Sequence, residues 1–387
     1  MYRSIDRILT SHVGSLPRPR DVLSRIYAHQ AGDRPFDDTY WTMVAKAVEQ
    51  VVGEQKACGI DIVSDGEIGK VGFTNYVSDR IAGLGGETEM WTFHDLAAAP
   101  EVAARQYGSE GGKHICMPAC EGQLGYTGIT DVARDITNLR QALHTHGVKM
   151  AFMPAVSPGS ITFQIVDRHY GSYEKYVMAV ADVMREEFEA IAAAGFMLQL
   201  DATDIPICHP EHGIFWASDV VKEMGFKNFI ELNLEALNHA TESIPAEQMR
   251  LHLCWANYEG PHHCDVPLTE VLEPSLRVSR AMTISFEAAN PRHEHEWKVF
   301  EDMKLPDDKV IMPGVIDTTT NFVEHPELVA QRIERFASLV GRERVIAGTD
   351  CGFGTFAGFG EVAPGAAWLK LRSLGEGAKI ASERLWT

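Results

Sequence analysis

Residues 172–201, SYEKYVMAVADVMREEFEAIAAAGFMLQLD, read as one long helical pattern over 172–194 that runs straight into a short apolar strand pattern, MLQLD, at 197–201. The strand ends on an acid. Working outward, the same unit recurs. Strand patterns fall at 9–14 (LTSHVG), 60–65 (IDIVSD), 149–154 (KMAFMP), 249–255 (MRLHLCW), 282–287 (MTISFE), 309–315 (KVIMPGV) and 344–349 (RVIAGT). Helical patterns lie between them, such as 39–57 and 326–340. In the latter, Pro326 suits a first turn and Gly341 a stop.

Eight β–α alternations call for a parallel sheet covered by helices. The expected fold is a single (β/α)8 TIM barrel over residues 1–387. An open doubly wound sheet is the runner-up, weakened because no G-x-G-x-x-G turn follows the first strand. Polar or glycine residues recur just after the strands: Gly14–Ser15, Asp65–Gly66–Glu67, Asp201, Glu287, Asp317 and Asp350–Cys351. In a barrel those positions share the mouth where active sites are built. One segment interrupts the alternation. Residues 84–128, rich in glycine and holding MWTFHD, KHICMPA and GQLGYTG, are expected to form an inserted hairpin or lid between strands two and three.

Composition narrows the class. The chain has 387 residues, 45% hydrophobic and 23% charged, enough to bury a core without disulfides. Its net charge of −19 argues against coating nucleic acid, whose usual footprint is basic. The opening MYRSIDRILTSHVGSLPRP shows no basic-then-apolar signal, and no apolar run reaches the roughly 18 residues of a membrane helix, so the cytoplasm is the expected compartment. Seven cysteines without regular spacing read as core thiols plus a metal or catalytic set.

His252 and Cys254 are two apart in a strand pattern and therefore share a face. Imidazole and thiolate are ligands zinc prefers. Glu287 and Cys351 stand at the ends of the next and last strands. Spacing alone does not choose this set over His262, His263 and Cys264 in the loop PHHCDVPL, or over the loose pair Cys116 and Cys120. A buried cysteine is also an ordinary core residue.

The landmarks HVGSLPRP, SDGE, LQLD, LHLCW, SFEAAN and GTDCGFG occur in an order that resembles the C-terminal catalytic barrel of cobalamin-independent methionine synthase, and more closely its stand-alone, single-barrel relatives. The resemblance covers nearly the whole chain. It implies a zinc ion on His252, Cys254, Glu287 and Cys351. It implies an enzyme of methionine biosynthesis that moves a methyl or other alkyl group to a thiol, homocysteine above all, from a methyl-folate or a smaller methyl carrier. Ser15, Glu67 and Asp201 match positions that engage the amino-acid part of homocysteine. Two thiolates and a carboxylate against one dication favour an electron-rich sulfur nucleophile; hydrolytic zinc sites are usually richer in histidine. The implied partners are a small-molecule thiol and an alkyl donor, with no nucleic acid and no membrane. Homo-oligomer formation is compatible with an acidic barrel of this size.

The chain departs from the full-length pattern. Those enzymes carry an additional N-terminal barrel that helps bind the folate, and this chain has none. They also carry a proton-donating His shortly after the seventh-strand Asp. Here GVIDTTTNF places Thr318, Thr319 and Thr320 after Asp317, which leaves His12 or Asp317 as the expected catalytic group. Ala202 follows Asp201 where a second acid is expected, and MPAVSPGSI replaces a Thr-Gly-Pro turn. Tyr126, Trp255, Phe353 and Phe356 are candidate stacking rings. Arg18, Arg20 and Lys70 are the candidate clamp for a sulfonate, should the enzyme be a thiol–epoxide transferase of the coenzyme M type. Two further readings are a non-catalytic zinc-binding barrel and a metal-free lyase; the first fits poorly with ligands spread over three strand ends.

Overall fold

A computed structural model describes residues 2–89, 91–109, 112–115, 117–360 and 362–387. Eight strands are found where the alternation places them: β1 (Leu9–Thr10), β2 (Ile62–Val63), β3 (Met150–Val156), β4 (Met197–Ala202), β5 (Met249–Leu253), β6 (Thr283–Phe286), β7 (Val310–Ile316) and β8 (Ile346–Thr349). All pairings within this sheet are parallel, in the order β1-β8-β7-β6-β5-β4-β3-β2. The seam between β1 and β2 is closed by Asp61 N donating to Thr10 O at 3.2 Å and Ser11 Oγ donating to Ile62 O at 3.1 Å. The chain is therefore a (β/α)8 barrel.

Two strands are shorter than their apolar runs because side chains take over the ladder. Beyond β2, the Gln55 amide accepts from Ser64 N at 2.9 Å and donates to Ser64 O at 2.8 Å. Beyond β1, Val13 N donates to Thr349 Oγ1 rather than to a carbonyl. Gly14, at φ +147°, then turns the chain into the mouth, where a Cβ would come within 2.5 Å of Glu67 Oε1.

Alternation along the strands sorts the core. Leu198 and Leu200 of β4 pack outward against the helices, whereas Met197 joins Ile62, Phe152, Val310, Met312 and Ile346 in a separate cluster that plugs the barrel. Gln199 and Asp201 continue that inner face toward the mouth. Fully buried Arg250 lies across the plug, its guanidinium 4.1 Å from the Phe152 ring centroid and bonded to Ser11 Oγ, His12 O and Gln199 Oε1. The helices begin where local caps allow. Asp37 accepts from Tyr40 N ahead of Asp38–Ala57, Ser172 caps Tyr173–Ala193, and Pro326 opens Pro326–Val340.

Residues 81–126 form a structured excursion. Strand Ile81–Thr88 pairs antiparallel with Met117–Tyr126, and two short helices, His94–Ala98 and Pro100–Tyr107, lie between them. Its base is bolted down by Arg80, which bonds Asp135 and Glu187, while the Tyr76 and Tyr126 hydroxyls donate to Glu187 at 2.6 Å each. No helix among the described residues is long and apolar enough to cross a membrane.

Candidate active site

His252 sits on β5 in register with Asp201 of β4 and Ser285 of β6, so all three side chains share the inner face. Cys254 follows two residues later on that face. The donor atoms of His252, Cys254 and Cys351 all lie within 4.8 Å of one another, and all three residues are buried. Cys254 Sγ is 3.0 Å from Cys351 Sγ, which is 3.7 Å from His252 Nε2 and 3.5 Å from Glu287 Oε1. The structure thus gathers four side chains from the ends of three strands, β5, β6 and β8.

Their supports are equally specific. His252 Nδ1 faces Ser285 Oγ at 3.2 Å, which leaves Nε2 aimed at the sulfur. Glu287 accepts from Trp255 N and Asn290 Nδ2, both at 2.8 Å. Asp350 accepts from Ala288 N, Ala289 N and Asn290 N, and so fixes the turn behind Glu287. Thr318 accepts from Cys351 N at 3.2 Å and donates to Asn257 Oδ1 at 3.0 Å. Asn257 in turn holds Gly352 O and Thr355 Oγ1. Ser285 and Asn290 had no place in the sequence-level site, and Asp350 and Thr318 stood there only as a residue of the mouth and as one of the threonines after Asp317; their supporting bonds join elements that spacing does not connect.

Electrostatics shows what the cluster lacks. Burial pushes the Cys351 thiol well above its ordinary range and raises the Glu287 carboxyl, and it lowers the His252 imidazole to about 3. For Cys254, the hydrogen bond from Cys351 favours the thiolate, but burial and Glu287 raise it overall. A dication reverses these preferences for the carboxyl and the thiols and takes a neutral imidazole as it is. Soft thiolates, an imidazole nitrogen and a carboxylate are a zinc-type donor set.

Beside this cluster lies a partly open cavity. Ser15, Glu67 and Asp201 line it together with His252, Cys254 and Cys351, so the three substrate-binding candidates and three of the four ligand candidates meet there. Glu67 is held at φ +54°, a left-handed conformation uncommon for a non-glycine residue, and its Oε2 has no hydrogen-bond partner. Asp201 Oδ1 accepts from Gln199 Nε2 at 2.8 Å. Burial raises both carboxyls, and Glu67 raises Asp201 further. Ser15 Oγ accepts from Gly354 N at 3.2 Å, and a side chain at Gly352 would collide with it.

Other candidates are placed elsewhere. His12 is buried behind the cavity wall, with Nε2 2.7 Å from Gln55 Oε1. The Asp317 carboxylate accepts from the backbone and hydroxyl groups of Thr319 and Thr320 and does not line the cavity. Arg18 donates to Gly354 O and Glu67 O, Lys70 donates to Pro154 O, and Arg20 is exposed at a helix start. Of the candidate rings, Phe356 lines the cavity and Phe353 an adjoining cleft, while Trp255 is fully buried and donates to Val266 O. Cys116 lies outside the described residues, and Cys120 is buried in the strand Met117–Tyr126.

The family model described as cobalamin-independent synthase, catalytic domain, matches residues 158–362, more than half of the chain. The chain belongs to this family. As a cobalamin-independent synthase barrel it is 24% identical over 349 residues to the methionine synthase of Thermococcus kodakarensis, covering 89% of this chain and 86% of that one. It is 23% identical to a 2-hydroxypropyl-CoM lyase of Xanthobacter autotrophicus, covering 98% and 96%. Among solved structures, a B12-independent methionine synthase from a Shewanella strain, in complex with selenomethionine, superposes with a TM-score of 0.70 at 20% identity, covering 98% and 99%. That likeness bears on the barrel. The family match covers β4 through β8, and with them the His252, Cys254, Glu287 and Cys351 positions.

Proposed function

We propose that this synthase barrel is a zinc-dependent S-alkyltransferase that methylates a thiol, with homocysteine as the acceptor. The observation that carries the reading is the convergence of two sulfurs, an imidazole nitrogen and a carboxylate next to a cavity walled by two further buried carboxylates. His252, Cys254, Glu287 and Cys351 would hold the metal. Zinc, when bound, lowers the pKa of a coordinating thiol so that the sulfur is presented as a thiolate. The chain's own residues do the rest. Glu67 and Asp201, two buried carboxylates to which neither Lys70 nor Arg18 offers a hydrogen bond, bind the ammonium of an amino-acid substrate. Ser15 donates to its carboxylate. Thr318 and Asn257 keep Cys351 in place, and the excursion over 81–126 serves as a lid that keeps water from the sulfur. His12 and Asp317 act as positioning residues, through Gln55 and through the Thr319–Thr320 turn.

A second reading follows the Xanthobacter relative, whose coenzyme M substrate carries a sulfonate. It is disfavoured here because Glu67 and Asp201 repel an anion and no Lys or Arg is among the described residues that line the cavity. Metal analysis tests the assignment. The purified protein should carry about one zinc per chain, lost in Cys351→Ser, and should convert homocysteine to methionine with a suitable donor. Zinc retained in Cys351→Ser but lost in Cys264→Ser would overturn the ligand set.

A further inference from the structure

Much of the cavity lining is aromatic, and its rings are organised around Phe356. Phe73 stands 5.5 Å from Phe356 between centroids, Trp91 6.5 Å and Phe359 6.3 Å, and Tyr107 stacks beyond Phe359 at 6.0 Å. Phe93 completes the lining, stacked on Tyr258 at 4.9 Å. Phe356 is held from both sides. Phe73 N donates to Thr355 O, Ala357 N donates to Val71 O, and Gly72 bridges Phe356 antiparallel. A side chain at Gly72 would strike the Phe356 ring, so the ring's seat depends on that glycine.

No Lys or Arg is among the described residues that line this cavity. Glu67 and Asp201 lie on the cavity floor. Arg18 and Lys70, the nearby cations, are turned onto backbone carbonyls, and Arg105 in the adjoining cleft pairs with Glu259 at 2.7 Å. Ring faces and carboxylates both attract a cation, and a desolvated pocket strengthens both attractions. A donor with a polyanionic tail would enter without a counter-charge.

Proton accounting points the same way. A donor whose leaving group departs as an amine anion needs an acid beside it. The loop after β7 brings none to the cavity: Thr318 is committed to Cys351 N and Asn257, Asp317 accepts from Thr319 and Thr320, Glu324 pairs with Lys370, and none of them lines it. An onium donor needs no acid, because its leaving group departs neutral.

We propose that the alkyl donor at this site is a small methyl-onium compound, a methylsulfonium or a quaternary methylammonium, with its charged head against the rings around Phe356. The reactivity assigned to it rests on the S-alkyltransferase reading. The acceptor thiol loses its proton to solvent. The thiolate sulfur then forms a bond to the methyl carbon as the bond from that carbon to the onium centre breaks. The bonding pair stays on the leaving sulfur or nitrogen, which departs as a neutral sulfide or tertiary amine. The thiolate and onium charges cancel, and no further proton moves.

Two arms test the assignment on the full chain. In the first, calorimetry compares choline with its neutral isostere 3,3-dimethylbutan-1-ol. The cation should bind at least about tenfold more tightly, and the preference should fall to within about twofold in Trp91→Leu and in Phe356→Leu. Trp91 is only half-buried, so that variant keeps the test available if Phe356→Leu fails to fold. In the second arm, homocysteine is offered with deuterated trimethylsulfonium, tetramethylammonium or 5-methyltetrahydrofolate, and labelled methionine is read by mass spectrometry. Label from an onium and none from the folate supports the proposal. Equal binding of the two isosteres, or turnover with the folate alone, overturns it and leaves the transferase reading standing. A preserved cation preference with no thiol methylated by any donor supports the onium site and overturns the transferase reading.

Discussion

Two clusters of histidine, cysteine and acid sit close together at the mouth of this barrel, and they meet opposite fates. In the first, the donor atoms of His252, Cys254 and Cys351 lie within 4.8 Å of one another, and Glu287 Oε1 stands 3.5 Å from Cys351 Sγ. In the second, Asp265 gathers three imidazoles: His262 Nδ1 at 3.1 Å, His293 Nε2 at 3.2 Å and His212 Nδ1 at 3.4 Å. There two of the three imidazoles are bonded at both nitrogens, whereas neither His212 nitrogen makes a hydrogen bond. His293 Nδ1 reaches Glu296 at 2.6 Å, and His262 Nε2 reaches Tyr258 O at 2.9 Å. Against burial, which would lower it, Asp265 and Glu296 raise His293 to about 10. Against burial, which would raise it, His262 and His293 hold Asp265 well below the usual carboxylate range. The second cluster is an ionic knot that joins the loops after β4, β5 and β6. The first is a set of donors that still wants a cation. The second is built of imidazoles and carboxylates that pair with one another, whereas the first brings two thiols and an imidazole together with no opposite charge among them.

The largest expected effect breaks the first cluster. Cys351→Ser should abolish zinc binding and lower the alkyl-transfer rate by more than about a thousandfold, because the group that activates the thiol is lost. Cys264→Ser, at a half-exposed thiol of the rival loop, should leave both unchanged. Metal stoichiometry and initial rates on the two variants decide the matter; equal losses would erase the distinction between the clusters.

Breaking the second cluster should cost stability and spare the metal. Asp265→Asn removes the carboxylate from between His262 and charged His293, and losing one partner of a buried ionic pair costs about 3–5 kcal/mol. Chemical denaturation should show that loss while zinc content per folded chain stays near one. The same knot has a pH signature. His293 is raised in the folded state, so its contribution is complete below about pH 6.5 and is lost as pH rises toward about 10. Each pKa unit is worth about 1.4 kcal/mol, so stability should fall by up to a few kcal/mol between pH 7 and 10. His293→Gln should flatten that slope. An unchanged slope in the variant would mean the imidazole is not charged in the fold.

How much of this contrast could be read from the chain alone is uneven. The strands were legible because apolar runs end on Asp, Glu or Gly, and Asp201, Glu287 and Cys351 do stand at strand ends. His252 and Cys254 were legible as one face of a strand. The short extents of β1 and β2 were not, because the Gln55 and Thr349 side chains that replace ladder bonds come from elements far away in sequence. The choice between the clusters was also out of reach of spacing. Glu296 and Tyr258 O, which bond the second nitrogens of His293 and His262, come from positions no spacing rule connects to them. Thr318 looked like the loss of a proton donor, whereas in the fold it is a strut for Cys351. The aromatic wall was hidden because Trp91, Phe93 and Tyr107 belong to the inserted segment, whose composition names no ligand, and meet Phe356 only in three dimensions.

The smallest expected effect is the sharpest probe of the comparison. Ser285 is fully buried, stands in register with His252 and meets its Nδ1 at 3.2 Å. A metal on Nε2 would place the proton on Nδ1, which then donates to the hydroxyl. Each histidine of the knot that has both nitrogens bonded has no nitrogen to spare, whereas His252 spends one on a serine and keeps the other. Removing such an outer partner of a metal-binding histidine typically weakens the metal by about 10–100-fold. Ser285→Ala should therefore keep its fold and still bind one zinc, but release it to a competing chelator at correspondingly lower concentration. Unaltered affinity would mean that packing alone orients the imidazole, and the distinction between a bonded and an available nitrogen would no longer explain why the metal chooses this cluster.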